Sequence, residues 1–289
     1  MVKVHNRARI FAGAITIALG LLFARIVFLV VSTDATAVDQ KEGIVRGPIL
    51  DRRGISLART EEASAIAIAP PEVLDTEFAA QNLSKHLGIP PAEIVEKIYQ
   101  QSNRRYFYLK HQVDNFTADR IMDLRIPGVH REYEFKRLYP AGRLAGNLLG
   151  FVGRDPTTSL SGLERSYHDL LNRAEMGERR GPALYLTIDS LIQSKLEKEM
   201  RAAYESSGAK RATGVFMDLD TGEILAMASF PELDPNDYQV SRPDQRENWG
   251  IRMAYEPGST VKVLMAAILL KNNAVRPDEK FFCNGEYKV

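Results

Sequence analysis

The chain is poor in the residues that most often announce chemistry. Cys283 is the one cysteine in 289 residues, which excludes an intrachain disulfide and a cysteine metal cluster. Five histidines, His5, His86, His111, His130 and His168, are scattered without ligand spacing. Neither a metal nor an organic cofactor is expected. No charge of one sign is in excess, with 38 basic side chains against 37 acidic ones. A nucleic-acid-binding protein would carry a basic surplus or stripe, so that class is set aside. Internal repeats are absent. Hydrophobic content is ordinary at 45%, and the length suits two modest domains better than one.

One long apolar run is present. Ile10 to Val31 is interrupted only by Arg25 and is long enough to cross a bilayer as a helix. Lys3, Arg7 and Arg9 precede it, with no acidic residue among them. This predicts a cytoplasmic tail at 1–9, a transmembrane anchor at 10–31 and the bulk of the chain outside. A cleaved signal peptide is the rival, and Ala35-Thr36-Ala37 resembles a cleavage site. The length of the run favours an anchor. Arg25 lies near its outer end, where it can snorkel or pair with a partner helix.

Outside the anchor, short elements alternate. Arg46 to Ala58 reads as two strand segments around a charged turn at Asp51 to Gly54, and Ala65 to Ala69 as an apolar strand. Phe78 to Leu87 and Pro91 to Gln100 are amphipathic helices, with Pro91 in a first turn. Tyr106 to Leu109 and Tyr133 to Leu138 are strands. Thr117 to Leu124 is a helix that Thr117 can cap, and Gly162 to Leu171 another short helix. An α+β module over 42–172 results. Asn172 to Pro182 reads as a linker and Leu184 to Ile188 as a strand. Asp189 or Ser190 can then cap a helix with Ile192, Leu196 and Met200 on one face. Thr213 to Leu219 and Glu223 to Ala228 flank Asp220-Thr221-Gly222, a hairpin signal. Both strands are almost continuously apolar, as in a sheet covered on both faces.

The chemistry-bearing stretch is Tyr255-Glu256-Pro257-Gly258-Ser259-Thr260-Val261-Lys262. Glu256 to Gly258 read as a turn. From Ser259 onward a helix apolar on nearly all sides is predicted, and such a helix must be buried. Ser259 and Lys262 stand at i and i+3 and share one face of its first turn. A serine hydroxyl needs a neighbouring base to become a nucleophile. An amine desolvated beside an apolar helix can serve as that base. By spacing alone the commoner reading is an N-cap serine at Ser259 and a solvated lysine at Lys262.

Taken together, these blocks resemble the class B penicillin-binding proteins, membrane-anchored D,D-transpeptidases. Arg46-Gly47 with Asp51-Arg52-Arg53-Gly54 and Leu57-Ala58 resembles the opening of their pedestal, or dimerisation, domain. Arg137-Leu138-Tyr139-Pro140-Ala141-Gly142, Leu148 to Gly153, and Gly162-Leu163-Glu164 with Tyr167 are similar to its later blocks. Leu186-Thr187-Ile188-Asp189 with Ile192-Gln193, and Asp220 to Ala228, resemble the entry and first hairpin of the transpeptidase domain. Glu256 to Lys262 matches the family's nucleophile motif. Within the family the septal, cell-division branch is the better match, on Arg25 and on Phe281-Phe282-Cys283-Asn284-Gly285.

The resemblance implies an architecture and an activity. The architecture is one transmembrane helix, an α+β pedestal, then at 183–289 the N-terminal part of an α/β, β-lactamase-like serine transpeptidase domain. The activity is acyl transfer from D-Ala-D-Ala stem peptides in septal cell-wall synthesis at the bacterial inner membrane. Ser259 would be the nucleophile, with its backbone N–H in the oxyanion hole, and Lys262 the general base. Peptidoglycan stem peptides and lipid-linked precursor strands would be substrates, and β-lactams covalent inhibitors. A membrane glycosyltransferase and other division proteins would be partners. The family's Ser-x-Asn and Lys-Thr/Ser-Gly motifs do not occur before Val289, so a C-terminally truncated chain is expected. Roughly ten large apolar side chains of the Ser259 helix left wet would forfeit on the order of 15 kcal/mol. That exceeds the stability of a typical domain. The expectation is that 183–289 forms no stable active domain alone. The alternative function is a non-catalytic, membrane-anchored division scaffold acting through the pedestal. A β-lactam sensor or hydrolase would need no pedestal block and a deacylating base, and neither condition suits this chain.

Overall fold

The computed structural model describes residues 45–173, 179–283 and 285. The tail at 1–9 and the anchor at 10–31 lie outside the described residues. Among the described residues no helix is long and apolar enough to cross a membrane. The chain divides into two units, Met1–Gly142 with Leu149–Leu186, and Arg143–Leu148 with Thr187–Val289.

Unit one mixes a sheet with helices. In chain order it holds β1 (Ile49–Leu50), β2 (Ser56–Ile68), α1 (Thr76–Leu87), α2 (Pro91–Gln100), β3 (Phe107–Val113) and α3 (Asn115–Asp123). There follow β4 (Val129–Leu138), α4 (Gly162–Ser166), α5 (His168–Leu171) and β5 (Leu184–Tyr185). Central β2 pairs antiparallel with β4 from Arg59↔Leu138 to Ile68↔Val129. It also pairs antiparallel with β3 and β1, and β5 extends β1 in parallel. The return segment expected near Ala58 and the strand expected at Ala65 are thus one strand. Glu61 and Glu62 break its apolar pattern, but they sit on an exposed stretch whose backbone is still paired to β4.

Alternation along β2 builds two different faces. Ile66 and Ile68 join Leu83, Leu87, Ile94, Ile98, Leu109 and Ile121 in a buried core. Burying each such side chain contributes about 1.5–3 kcal/mol. The opposite face carries Ala63, Ala65 and Ala67, all buried. Over these small residues the side chains of the flanking strands meet. Tyr106 and Tyr108 both donate to Glu132, and His111 Nδ1 lies 3.0 Å from Glu134.

Local chemistry sets the helix ends. Asp75 accepts from Phe78 N–H to start α1, and Gly88 ends it at φ 66°. Pro91 opens α2 as expected. Helix α3 begins earlier than predicted, because Asp114 caps it by accepting from Thr117 N–H at 2.8 Å. Thr117 is the recipient of the cap and not its source. The helix predicted from Gly162 to Leu171 is broken at Tyr167 into α4 and α5. The end of the expected linker is tied down: Val45 N–H donates to Arg179 O, and Gly181 N–H to Val45 O.

Three separated sequence blocks converge on one carboxylate. Arg46 Nε donates to Glu164 Oε2 at 2.6 Å, and Arg137 Nε to Oε1 at 2.8 Å. Tyr139 O–H also reaches Oε1, at 3.3 Å. Arg137 Nη1 donates onward to Gly47 O and Thr60 Oγ1. All of these side chains are buried. Burial pulls the Arg46 guanidinium below its ordinary pKa, and the Glu164 carboxylate opposes that shift. Burial, then the charge of Glu164, pushes the Tyr139 hydroxyl well above its usual value. Gly47 is needed here, since a Cβ would stand 2.0 Å from Pro182 O.

Unit two contains α6 (Ser190–Ser207), the antiparallel hairpin β6 (Ala212–Met217) and β7 (Ile224–Phe230), α7 (Trp249–Arg252) and α8 (Val261–Lys271). Asp189 caps α6 through Leu191 and Ile192 N–H, and Gly208 closes it at φ 62°. The predicted hairpin forms. Its strands are not covered on both faces, however, for Val215, Phe216 and Met217 are exposed. Among the described residues β6 has no second neighbouring strand.

Candidate active site

Ser259 lies in a 3-10 turn, Gly258–Thr260, that runs directly into α8. Gly258 takes the left-handed conformation at φ 53°, which a residue with a side chain adopts only under strain. Thr260 Oγ1 donates to Pro257 O and locks the turn. Lys262 follows in the first turn of α8, so the two side chains stand one turn apart. Both are exposed. The Ser259 N–H belongs to a helix start, where amides lack intrahelical acceptors. Nearby N–H groups can therefore receive a developing oxyanion.

The expected burial of this helix is not found. Every residue from Ala254 to Ala274 is exposed, including Val263 at 72% and Leu264 at 64%. A helix apolar on all sides needs cover on all sides. Among the described residues α8 meets little beyond its own leading turn.

The ordered part of unit two is organised by polar groups. On α6 the buried side chains are Gln193 and Glu197, while Ile192, Leu196 and Met200 are only partly covered. Gln193 pairs with the backbone of Met227 as a strand would: Oε1 accepts the N–H at 2.8 Å and Nε2 donates to the carbonyl at 2.9 Å. Gln193 Nε2 also donates to Glu197 Oε1, which accepts Ala145 N–H at 2.8 Å. Burial raises the Glu197 pKa, and these two donors partly offset it. Asn147 is buried, with its Oδ1 accepting Leu233 N–H and its Nδ2 donating to Gln245 O and Glu247 O.

Further on, Ser229 Oγ accepts Trp249 N–H at 2.9 Å. The Trp249 indole donates to Asp244 O, and the Arg211 guanidinium stacks 3.6 Å from the ring centroid. Sequence reasoning missed Asn147, Glu197 and Trp249 as a connected set. Their partners are mostly backbone carbonyls and amides, which leave no mark on residue periodicity. No cluster of His, Cys, Asp and Glu that could hold a metal occurs among the described residues.

Comparison with known proteins bears on both units. The penicillin-binding protein dimerisation domain family matches residues 43–177, and the penicillin binding protein transpeptidase domain family matches residues 212–289. The chain is similar to peptidoglycan D,D-transpeptidase FtsI of Escherichia coli (strain K12), at 30% identity over 304 residues, covering 93% of this chain and 51% of that protein. It is also similar to the probable peptidoglycan D,D-transpeptidase FtsI of Caulobacter vibrioides (strain NA1000 / CB15N). There the identity is 35% over 244 residues, covering 84% of this chain and 41% of that one. The chain thus spans about half the length of the curated relatives it matches. Among solved structures, Penicillin Binding Protein 2X from Streptococcus thermophilus is similar with a TM-score of 0.59 at 21% identity, covering 82% of this chain and 42% of that one. That likeness speaks for the fold.

Proposed function

Because this chain belongs to the class B penicillin-binding proteins, we propose that it carries the nucleophile of a septal peptidoglycan D,D-transpeptidase. The observation that carries the reading is Ser259 with Lys262 one turn away at the start of an apolar helix, inside the matched transpeptidase region. Ser259 Oγ attacks the carbonyl of the penultimate D-alanine of a stem pentapeptide while Lys262 takes its proton. The bond to the terminal D-alanine breaks, and that residue leaves with a proton. An amine of a neighbouring stem then takes the acyl group and frees Ser259. The Ser259 N–H receives the oxyanion in both steps. A β-lactam would acylate the same oxygen.

Ile10 to Val31 anchors the protein in the inner membrane, with the N-terminus cytoplasmic. Arg25, the Phe281 to Gly285 segment and the FtsI-named relatives support the septal branch. Lipid-linked precursor strands, a membrane glycosyltransferase and other division proteins are the partners this role calls for. The exposure of α8 supports a further part of the reading, that residues 183–289 do not acylate without cover from other polypeptide. A specific contrast favours a second reading, a non-catalytic anchored scaffold, since unit one has a closed core and α8 does not.

Fluorescent-penicillin labelling of native membranes, wild type against Ser259→Ala, tests this. Label that depends on this chain and disappears in Ser259→Ala is expected. Label retained in the variant would remove Ser259 from the mechanism. A band at the chain's own mass, formed by the chain alone, would overturn the need for cover. No label with the protein present and inserted would favour the scaffold.

A further inference from the structure

Asn147 comes from a six-residue excursion, Arg143–Leu148, that belongs to unit two although the chain on either side belongs to unit one. The excursion is held in three ways. Ala145 N–H is bonded to Glu197 of α6. Gly146 lies flush against the loop after β7, where a Cβ would stand 2.2 Å from Leu233 O. Asn147 spans that loop, accepting from Leu233 N–H at 3.1 Å and donating to Gln245 O at 2.7 Å and Glu247 O at 2.9 Å, with Pro231 O at 3.3 Å. One buried amide therefore ties both ends of the 231–247 loop together. Only a side chain with one acceptor and two donors on a common plane can do this.

The loop leads to Trp249, fixed by Ser229, Asp244 and Arg211, and α7 packs on the hairpin. Met253 is the last partly covered residue before Ser259, which follows on exposed chain. The loop that Asn147 closes thus leads straight into Trp249 and α7, the last held element before the nucleophile. We propose that Asn147 is a positioning residue for Ser259, setting where the nucleophile segment departs from unit two. This rests on the reading of Ser259 as the nucleophile. Asn147 acts through the loop and touches no reacting atom.

Trp249 is the one tryptophan of the 289 residues, so in this chain its emission reports the loop directly. Asn147→Asp keeps the acceptor for Leu233 but sets its second oxygen, in place of Nδ2, against the carbonyls of Gln245 and Glu247. At neutral pH it should shift Trp249 emission to the red and speed amide exchange at Leu233 and Trp249 by about tenfold or more. As pH falls, the introduced carboxyl gains a proton, can donate again, and the wild-type signature should return in part. Asn147→Ala should show the loosened signature with no recovery. Penicillin labelling at Ser259 should fall in step with the loosening.

Folded variants with unchanged emission and exchange would overturn the proposal. So would an aspartate variant that loosens like alanine and never recovers, because Asn147 would then only fill space. Should neither variant fold, wild-type exchange decides. Ala145, Leu233 and Trp249 amides protected to the same extent support a single held unit, and free exchange at Leu233 or Trp249 overturns it. If Trp249 responds while Ser259→Ala leaves labelling intact, the loop role stands and the nucleophile assignment falls.

Discussion

Leu83 in α1 is fully buried, whereas Leu264 in α8 is 64% exposed, although α8 is the more apolar helix. The two show that apolar content and burial are separate properties. Helix α1 keeps Glu77, Gln81, Asn82, Lys85 and His86 away from its buried residues, so one apolar face is enough, and α2, α3 and the core side chains of β2 cover it. Helix α8 has no polar face to leave in water. It depends wholly on neighbours, and the polar side chains of its leading turn and first turn are Ser259, Thr260 and Lys262. Unit one adds a second device, the buried Arg46–Glu164–Arg137 cluster, which has no counterpart around α8 among the described residues.

The contrast can be broken most sharply at the cluster. Glu164→Gln leaves two buried guanidinium groups without their carboxylate and should cost unit one about 3–5 kcal/mol in urea unfolding. A cost under about 1 kcal/mol would mean that water reaches the cluster and that unit one is less closed than described. Next come the paired helix variants. Leu83→Ala should cost about 2–5 kcal/mol, and Leu264→Ala should stay within about 0.5 kcal/mol. Equal costs would show that α8 is covered in solution, and the contrast between the helices would vanish. Asp114→Ala should cost about 1 kcal/mol by uncapping α3, read from the urea midpoint. No change would place the helix start nearer Thr117.

The smallest effect concerns pH and unit two. Desolvation raises the Glu197 pKa, with nearby Glu232 adding to it. A raised folded-state pKa favours the protonated folded form. The stability it contributes is present below the ordinary carboxylate range and is lost as pH rises through the raised value. Glu197→Gln keeps an acceptor for Ala145 N–H and removes the titration. Its unfolding midpoint should vary less than wild type between about pH 4 and 7, and should equal or exceed wild type at the upper end. A parallel pH profile in the two proteins would show that Glu197 does not set the slope.

Parts of both units could be read from the residues. Pro91 to Gln100 is found as the helix expected, and Asp220-Thr221-Gly222 turns the hairpin as expected. These signals are local: a proline in a first turn, a glycine at positive φ. The Ser259 and Lys262 spacing was equally visible, because it belongs to one helical turn. What could not be read is polar burial. Ile192, Leu196 and Met200 form the stripe that periodicity favours, yet Gln193 and Glu197 are the buried pair, since they bond to Met227 and Ala145 from distant segments. The same holds for Arg46, Arg137 and Glu164. Each looks like a surface charge until the fold brings all three together. Burial of α8 was expected from composition, which says what a helix needs and not whether its neighbours are there.

The alanine run of β2 has a consequence for how this sheet is allowed to drift. Ala63, Ala65 and Ala67 act as a height gauge: they are low enough for Tyr106 and Tyr108 to reach Glu132 across an intervening strand. A larger residue at 65 would raise the floor and sever a bond in which it takes no part. Positions on β3 and β4 that never neighbour each other in the hydrogen-bonded ladder are thereby made to answer to a third. A lineage that enlarges Ala65 should lose the pairing of Tyr108 with Glu132 in the same step, so change at these three places is expected to come as a set.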